Sequence, residues 1–181
     1  MAGHMSRPSE PEDVKLIASL FSRREGLIDQ VISEMQKIFG PTDWISPGLF
    51  FDRTRYYAGE MGWPLHRRFI AFQDLMRPEA LVEAKLKTND LEKRHLESGK
   101  REINIDPGYV SLERVVLATG KNYTHRIYLS RGIYADLTLV FRKGSFQMLD
   151  WTYPDYAAAE TIGFFNDLRE NYKRQIRGIN D

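Results

Sequence analysis

Thr124-His125-Arg126-Ile127-Tyr128-Leu129-Ser130-Arg131-Gly132-Ile133-Tyr134-Ala135-Asp136-Leu137-Thr138-Leu139-Val140-Phe141 decides the fold class of this chain. Apolar and polar residues alternate on both sides of Ser130-Arg131-Gly132, the period-2 pattern of two strands joined by a tight turn. The reading is an antiparallel hairpin, Thr124 to Ser130 against Ile133 to Phe141. A three-residue loop pairs Leu129 with Ile133, Tyr128 with Tyr134, Ile127 with Ala135 and Arg126 with Asp136. A two-residue loop would set Ile127 against Asp136 and mix the faces. A one-residue slip sends apolar side chains to the wrong face, so the first register is expected. Ile127, Leu129, Ile133, Ala135, Leu137, Leu139 and Phe141 then form a core face. Arg126, Tyr128, Tyr134, Asp136 and Thr138 form a polar one. His125 falls on the core side at the strand's start.

Downstream, Lys143-Gly144 makes a turn that brings Phe146 and Met148 beside Phe141 and Leu139, completing a three-stranded antiparallel meander. Asp155 is the expected N-cap of a last helix whose stripe is Ile162, Phe165, Leu168, Tyr172 and Ile176. Upstream, Ser111 to Thr119 is short enough to be helix or strand, and a helix is the favoured reading. Asp106-Pro107-Gly108 reads as a turn: Asp hydrogen-bonds forward, Pro fixes φ and Gly accepts positive φ.

The first half is a succession of alternating elements. Val14 to Leu20 is a nearly continuous apolar strand, as expected when both faces are buried. Ser22 and Glu25 have the spacing of a capping box. The helix after them carries Leu27, Ile28, Val31, Ile32, Met35, Ile38 and Phe39 on one stripe and stops at Gly40-Pro41. Thr42 to Asp52 is a strand interrupted at Pro47-Gly48. Arg53 to Trp63, with Tyr56 and Tyr57, is irregular. Leu65 to Gln73 is a strand with Phe69 and Ala71 on one face and Ile70 and Phe72 on the other. A helix runs from Pro78 to Gly99, and Thr88-Asn89-Asp90 marks a point where two helices could meet. Ile103 to Ile105 is a short strand. This order matches the ferredoxin-like split βαβ arrangement. The expected fold is therefore α+β: a ferredoxin-like half over residues 14–105, extended by the meander and a C-terminal helix. Residues 1–4 read as an expression scar, 5–13 as a flexible arm and 14–178 as a single globular domain.

Composition narrows the function. The 181 residues carry 26 Lys plus Arg against 25 Asp plus Glu, a net charge of +1, so nucleic acid is not indicated by net charge. With no cysteine, disulfides, thiolate nucleophiles and Cys-bound zinc are excluded. No apolar run approaches the roughly 20 residues needed to cross a bilayer, and no signal peptide opens the chain. A cytoplasmic protein is expected. No His-x-His pattern and no cluster of acids favours a metal. The phosphate-cradling loop is absent: Gly120-Lys121 is followed by Asn122, and Val115 stands where its first glycine belongs.

Candidate site residues cluster between Arg101 and Tyr156. Arg126 and Asp136, opposite one another and flanked by Tyr128 and Tyr134, make a floor for a small polar ligand; the ordinary alternative is an exposed cross-strand ion pair. Residues 121–144 hold five basic side chains and one acidic, which attracts anions. The expected function is binding of a small anionic ligand, phosphate-bearing or nucleotide-like. Arg101, Lys121 and Arg126 would hold the anion, Tyr128, Tyr134 or Trp151 would stack, and Asp106 or His125 would act as acid–base. Asn104, polar within its strand, and Tyr109 join the set. The alternative is a non-catalytic module that binds protein or RNA through exposed aromatics.

The Lys85-Leu86-Lys87-Thr88-Asn89 stretch, Asn104 to Tyr109, His125-Arg126-Ile127-Tyr128, Gly132-Ile133-Tyr134 and Trp151 to Tyr156 together resemble an uncharacterised, mainly bacterial family, the domain-of-unknown-function family 4416. The resemblance covers nearly all of residues 6–177. It implies no established activity. Members are often labelled GTP-binding, which the missing phosphate loop does not support.

Overall fold

The computed structural model describes residues 7–51 and 58–178. The expected scar at 1–4, Tyr56 and Tyr57 lie outside the described residues. Elements follow in the order β1 (Val14–Ser22), α1 (Glu25–Phe39), β2 (Thr42–Ile45), β3 (Leu49–Phe51), α2 (Ala58–Met61), β4 (Leu65–Met76), a 3-10 turn (Pro78–Ala80) and α3 (Leu81–Arg94). Then come β5 (Leu96–Glu97), β6 (Lys100–Arg101), β7 (Ile103–Val110), β8 (Arg114–Thr119), β9 (Arg126–Ser130), β10 (Ile133–Arg142), β11 (Ser145–Met148) and α4 (Ala159–Ile176).

One antiparallel sheet takes nine of these strands in the order β11-β10-β8-β7-β1-β4-β2. Strand β3 continues beside β2 along the outer edge of β4, and β9 sits beside β11 along the outer edge of β10. The fold is mixed α and β, with helices on both faces. β1 is buried along its whole length, as its apolar run predicts. Leu16, Ala18 and Leu20 turn to one face, where Ile28, Val31 and Met35 of α1 and Ala84 and Leu91 of α3 cover them. Ile17 turns to the other, beneath Phe165 and Leu168 of α4. Each such aliphatic side chain contributes about 1.5–3 kcal/mol by leaving water. Lys15, 1 % exposed, ties the layers together: its ammonium donates to Asp43 Oδ2 (2.6 Å), the Phe72 carbonyl (3.0 Å) and Gln175 Oε1 (3.1 Å).

The hairpin register is the expected one for Tyr128–Tyr134, Ile127–Ala135 and Arg126–Asp136. It is reached differently. Arg131 and Gly132 both have positive φ, the signature of a two-residue turn, so Ser130 pairs with Ile133. A bulge at Leu129 then restores the faces. A second bulge at Thr138, between Leu137–Val116 and Leu139–Val115, flips the remainder of β10. Leu139 therefore packs beneath α4 and Leu137 on the α3 side, and the single core face expected for the hairpin is split between two cores. Ile127 and Leu129 stay exposed on β9, which pairs with β10 along the rim of the sheet. The three-stranded meander also differs from expectation: β9 and β11 lie end to end on one edge of β10, and β8 holds the other.

Five local expectations are corrected. Asp106-Pro107-Gly108 is strand, paired with Ser19, Ala18 and Ile17 of β1. Residues 114–119 are strand, since Val115 and Leu117 bury on one face and Val116 and Ala118 on the other, a period of two. Ser22 does not cap α1; its hydroxyl donates to the Glu102 carbonyl at 2.6 Å and accepts from the Arg24 amide at 3.0 Å. Asp155 does not cap α4, which starts at Ala159; it pairs with Arg67. Helix α3 runs unbroken through Thr88, whose hydroxyl donates back to the Lys85 carbonyl, and ends at Arg94.

Candidate functional site

A cleft opens where two neighbouring strands part. β1 accompanies β7 from Val110 to Ile103, but β8 pairs with it only from Val110 to Gly108. Gly108 sits at the pinch: a Cβ there would stand 2.4 Å from the Val116 carbonyl oxygen and 2.7 Å from Leu117 Cδ2. Past this point β8 swings away, and the main chain of Ile105 has no neighbouring strand on that side. Helix α3 supplies the partners. Glu92 Oε1 accepts the Ile105 N–H at 2.6 Å, and Lys85 Nζ donates to the Ile105 carbonyl at 3.1 Å. A strand's polar groups buried without such partners would cost about 1–3 kcal/mol each. The resulting cleft has a volume of about 1020 Å³.

Its floor is the α4 side of the central strands: Arg67 of β4, Phe21 of β1, Asn104 and Asp106 of β7. One wall is α3, with Lys85, Asn89 and Glu92. The opposite wall is the end of β8, the 120–126 turn and Asp136 of β10. Residues 151–156 close over the top. The Thr138 bulge fixes this cover: Trp151 Nε1 donates to the Leu137 carbonyl at 2.7 Å, and the Thr152 hydroxyl to the Thr138 carbonyl at 2.6 Å.

Two polar clusters face the cleft. In the first, Asp136 Oδ2 accepts from Arg126 Nε (2.8 Å) and lies 3.3 Å from His125 Nε2. Arg126 also donates to the Lys121 carbonyl and the Tyr153 hydroxyl. Burial works against its charge, but Asp136 outweighs that and holds the guanidinium above its ordinary pKa. The His125 ring stacks on Trp151, centroids 5.1 Å apart and planes 13° from parallel. In the second, Arg101 grips Glu60 with two hydrogen bonds (2.8 and 2.7 Å) and donates to Asn104 Oδ1. Those bonds hold the Glu60 carboxyl below its usual range. Asn104 Nδ2 in turn donates to Asp106 Oδ2 at 2.8 Å. Among the described residues Asp106 Oδ1 accepts no hydrogen bond, and Lys85 Nζ stands 4.0 Å from it.

Beneath them lies Arg67, 3 % exposed. It donates to the Ser19 hydroxyl, pairs with Asp155 and stacks over Phe69 and Tyr156 at 4.5 and 5.0 Å. Among the described residues the buried Tyr156 hydroxyl has no hydrogen-bond partner. Burial pushes its pKa up; Arg67 pulls it down, Asp106 and Asp155 push it further up, and the nearby Ser19 hydroxyl lowers it without making a bond of normal geometry. Glu92 is likewise raised by burial, against the pull of Lys85 and the Ile105 amide.

Of the residues singled out from sequence, Arg101, Asn104, Asp106, Lys121, His125, Arg126, Asp136 and Trp151 line this cleft. Tyr109 does not: it faces away from α4, packed with Leu81 and Val82. Tyr128 and Tyr134 meet edge to face outside it. His125 was expected on the core side of its strand. It instead precedes β9, in a turn, where it shares Asp136 with Arg126. Sequence reading passed over Arg67, Lys85, Glu92, Tyr153 and Tyr156. Two signals were available: Arg67 shares its strand face with Phe69 and Ala71, and Lys85, Thr88 and Glu92 continue the helical stripe begun by Leu81. Among the described residues no group of His, Asp and Glu has metal-site geometry, and no helix is long and apolar enough to cross a membrane.

A family model described as "Domain of unknown function (DUF4416)" matches residues 12–172. No curated protein and no solved structure matches the chain.

Proposed function

This chain belongs to the family described as Domain of unknown function (DUF4416), and from that premise, which brings no activity with it, we propose that it binds a small phosphate-bearing or nucleotide-like ligand in the cleft between β7 and β8. The carrying observation is convergence. Side chains from β4, α3, β7, β10 and the 120–126 and 151–156 segments meet around one 1020 Å³ space, of the size that houses small-molecule ligands. Five basic residues face four acidic ones there, so the balance is mildly favourable to an anion. Arg126 commits three of its guanidinium donors to Asp136, Lys121 and Tyr153, which leaves two of its five for a ligand. Lys121 and Arg101 extend the basic rim, and Trp151 and Tyr153 offer ring surface for stacking. Asp106, with one uncommitted oxygen, is the acid–base candidate. His125, oriented by Asp136, is the second. The test is a thermal-shift screen of the full chain against inorganic phosphate, nucleotides and sugar phosphates. A ligand at one hundred times its Kd adds about 2.7 kcal/mol of stability. A screen in which no compound raises Tm sinks the proposal.

For the scaffold, we take residues 14–105 as the ferredoxin-like split βαβ arrangement. Support comes from the run β7-β1-β4-β2, antiparallel throughout, with α1 and α3 on one face. A second functional reading rests on a separate feature. Ile127, Tyr128, Leu129 and Met148 are exposed together along the outer edge of β10, with Tyr128 58 % and Ile127 70 % accessible. That edge suits a protein partner. A Tyr128→Ser, Ile127→Ser double variant that leaves ligand shifts unchanged but abolishes pull-down would favour it.

A further inference from the structure

We infer that the deep end of the cleft reads a neutral hydroxyl group, so that the ligand is a polyhydroxylated ring carrying its phosphate outward, as in a sugar phosphate or the ribose of a nucleotide. This rests on the ligand-binding reading of the cleft and adds the class and orientation of the ligand.

The argument is one of complementarity at the floor. Asp106 Oδ1 is an acceptor with no donor among the described residues. Lys85 Nζ, 10 % exposed at its side chain, has donated once, to Ile105, and stands 4.0 Å from that oxygen. The Tyr156 hydroxyl is buried without a partner among the described residues. Asp106 sits opposite Ser19 in the sheet, Ser19 accepts from Arg67, Arg67 stacks over Tyr156, and Asp106, Lys85, Arg67 and Tyr156 all line the same cleft. An anion placed there would meet Asp106 and Asp155. A cation would meet Lys85 and Arg67. A hydroxyl meets neither objection: it donates to Asp106 and accepts from Lys85 or Tyr156. An oxygen about 2.8 Å from both Asp106 Oδ1 and Lys85 Nζ fits across their gap. Asn104 fixes the carboxylate by holding its other oxygen at 2.8 Å. Charge changes character outward, where Lys121, Arg126 and the half-exposed Trp151 form the rim. The floor thus suits the hydroxyls and the rim suits the phosphate and any planar base.

Calorimetric titration of the full chain tests this with four probes: adenosine monophosphate, its 2′,3′-dideoxy analogue, glucose 6-phosphate and inorganic phosphate. The hydroxylated phosphates should bind at least tenfold more tightly than the dideoxy analogue and inorganic phosphate. Asp106→Asn should erase that difference, weakening the hydroxylated probes tenfold or more and the dideoxy analogue little. Tyr156→Phe removes a hydroxyl that the free protein does not use, so unliganded Tm should hold or rise while the hydroxylated probes weaken. It keeps the test open if Asp106→Asn fails to fold. Equal affinity for adenosine monophosphate and its dideoxy analogue, or equal loss of both in Asp106→Asn, overturns the hydroxyl reading and leaves ligand binding standing. Failure of all four probes in titration, together with an empty thermal-shift screen, overturns both.

Discussion

Arg67 is a charge at the centre of a sheet, and its surroundings define what it does. Three rings crowd its guanidinium, Ser19 accepts from Nε, and Asp155 neutralises it. Removing one partner of such a pair leaves the other buried and unpaired, at a cost of about 3–5 kcal/mol. Arg67→Ala should therefore lower stability by that amount in urea unfolding; a loss below about 1 kcal/mol would show that the pair is exchanged for water without penalty. Glu92 makes a prediction of a different kind. Burial raises its pKa above the ordinary 4.5. For a group raised on folding, the stabilising difference is intact below the unfolded value and is lost as pH climbs through the folded one. Glu92→Gln keeps an acceptor for the Ile105 N–H but cannot ionise. The variant should gain on the wild type as pH rises from about 4 toward neutrality, read as the difference between their unfolding free energies. A pH-independent difference would refute the assignment. These residues eluded sequence reading for a plain reason: a charge at a core position is visible in the chain, but the acid that satisfies it, 88 residues away for Arg67 and Asp155, is not.

At the level of single elements, Gly108 sets where β7 and β8 separate. Its missing side chain lets the Val116 carbonyl approach within 2.4 Å of where a Cβ would lie. Gly108→Ala forces two backbones apart and should cost about 1–3 kcal/mol, the usual range for overpacking. An unchanged urea midpoint would contradict this close approach. The same stretch explains two misreadings. Asp106-Pro107-Gly108 has turn chemistry, yet the three residues lie extended. Pro107 needs no partner on the β8 side because β8 is already leaving, and Gly108 serves for closeness rather than for positive φ. Arg114 to Thr119 looked helical because it is short and apolar on both faces, where periodicity does not discriminate. Long, one-sided elements were legible: the α1 stripe, the two faces of β4, and the Phe141–Phe146 and Leu139–Met148 pairs of the second hairpin all stand where their spacing puts them. The bulges at Leu129 and Thr138 left no mark in the sequence, and neither did the start of β9 at Arg126, which leaves His125 in a turn rather than on a strand face.

Over the whole molecule, the first strand in sequence lies in the interior of the sheet, one place from its middle. β1 is flanked on both sides, by β4 and β7, and buried end to end. Amide exchange should be slowest in β1 and its two neighbours, near the limit of global unfolding, and fastest in β9 and β11. Fast exchange in β1 would mean that the sheet opens at its centre. Alternation of helix and strand across residues 14–105 could be read from the sequence. The cleft could not, since it is made by a strand that deviates from its neighbour.

Both long outer strands are covered in pieces. The twelve residues of β4 are met by β2 and β3, of four and three residues; the ten of β10 by β9 and β11, of five and four. An uninterrupted row of unpaired N–H and C=O groups is a template on which another chain can add and a fibre can grow. Breaking each rim into short segments, offset by bulges and turns, denies an incoming strand the length it would need to register. A protein with a nine-stranded sheet and almost no net charge to repel its copies gains resistance to self-association from how its borders are cut.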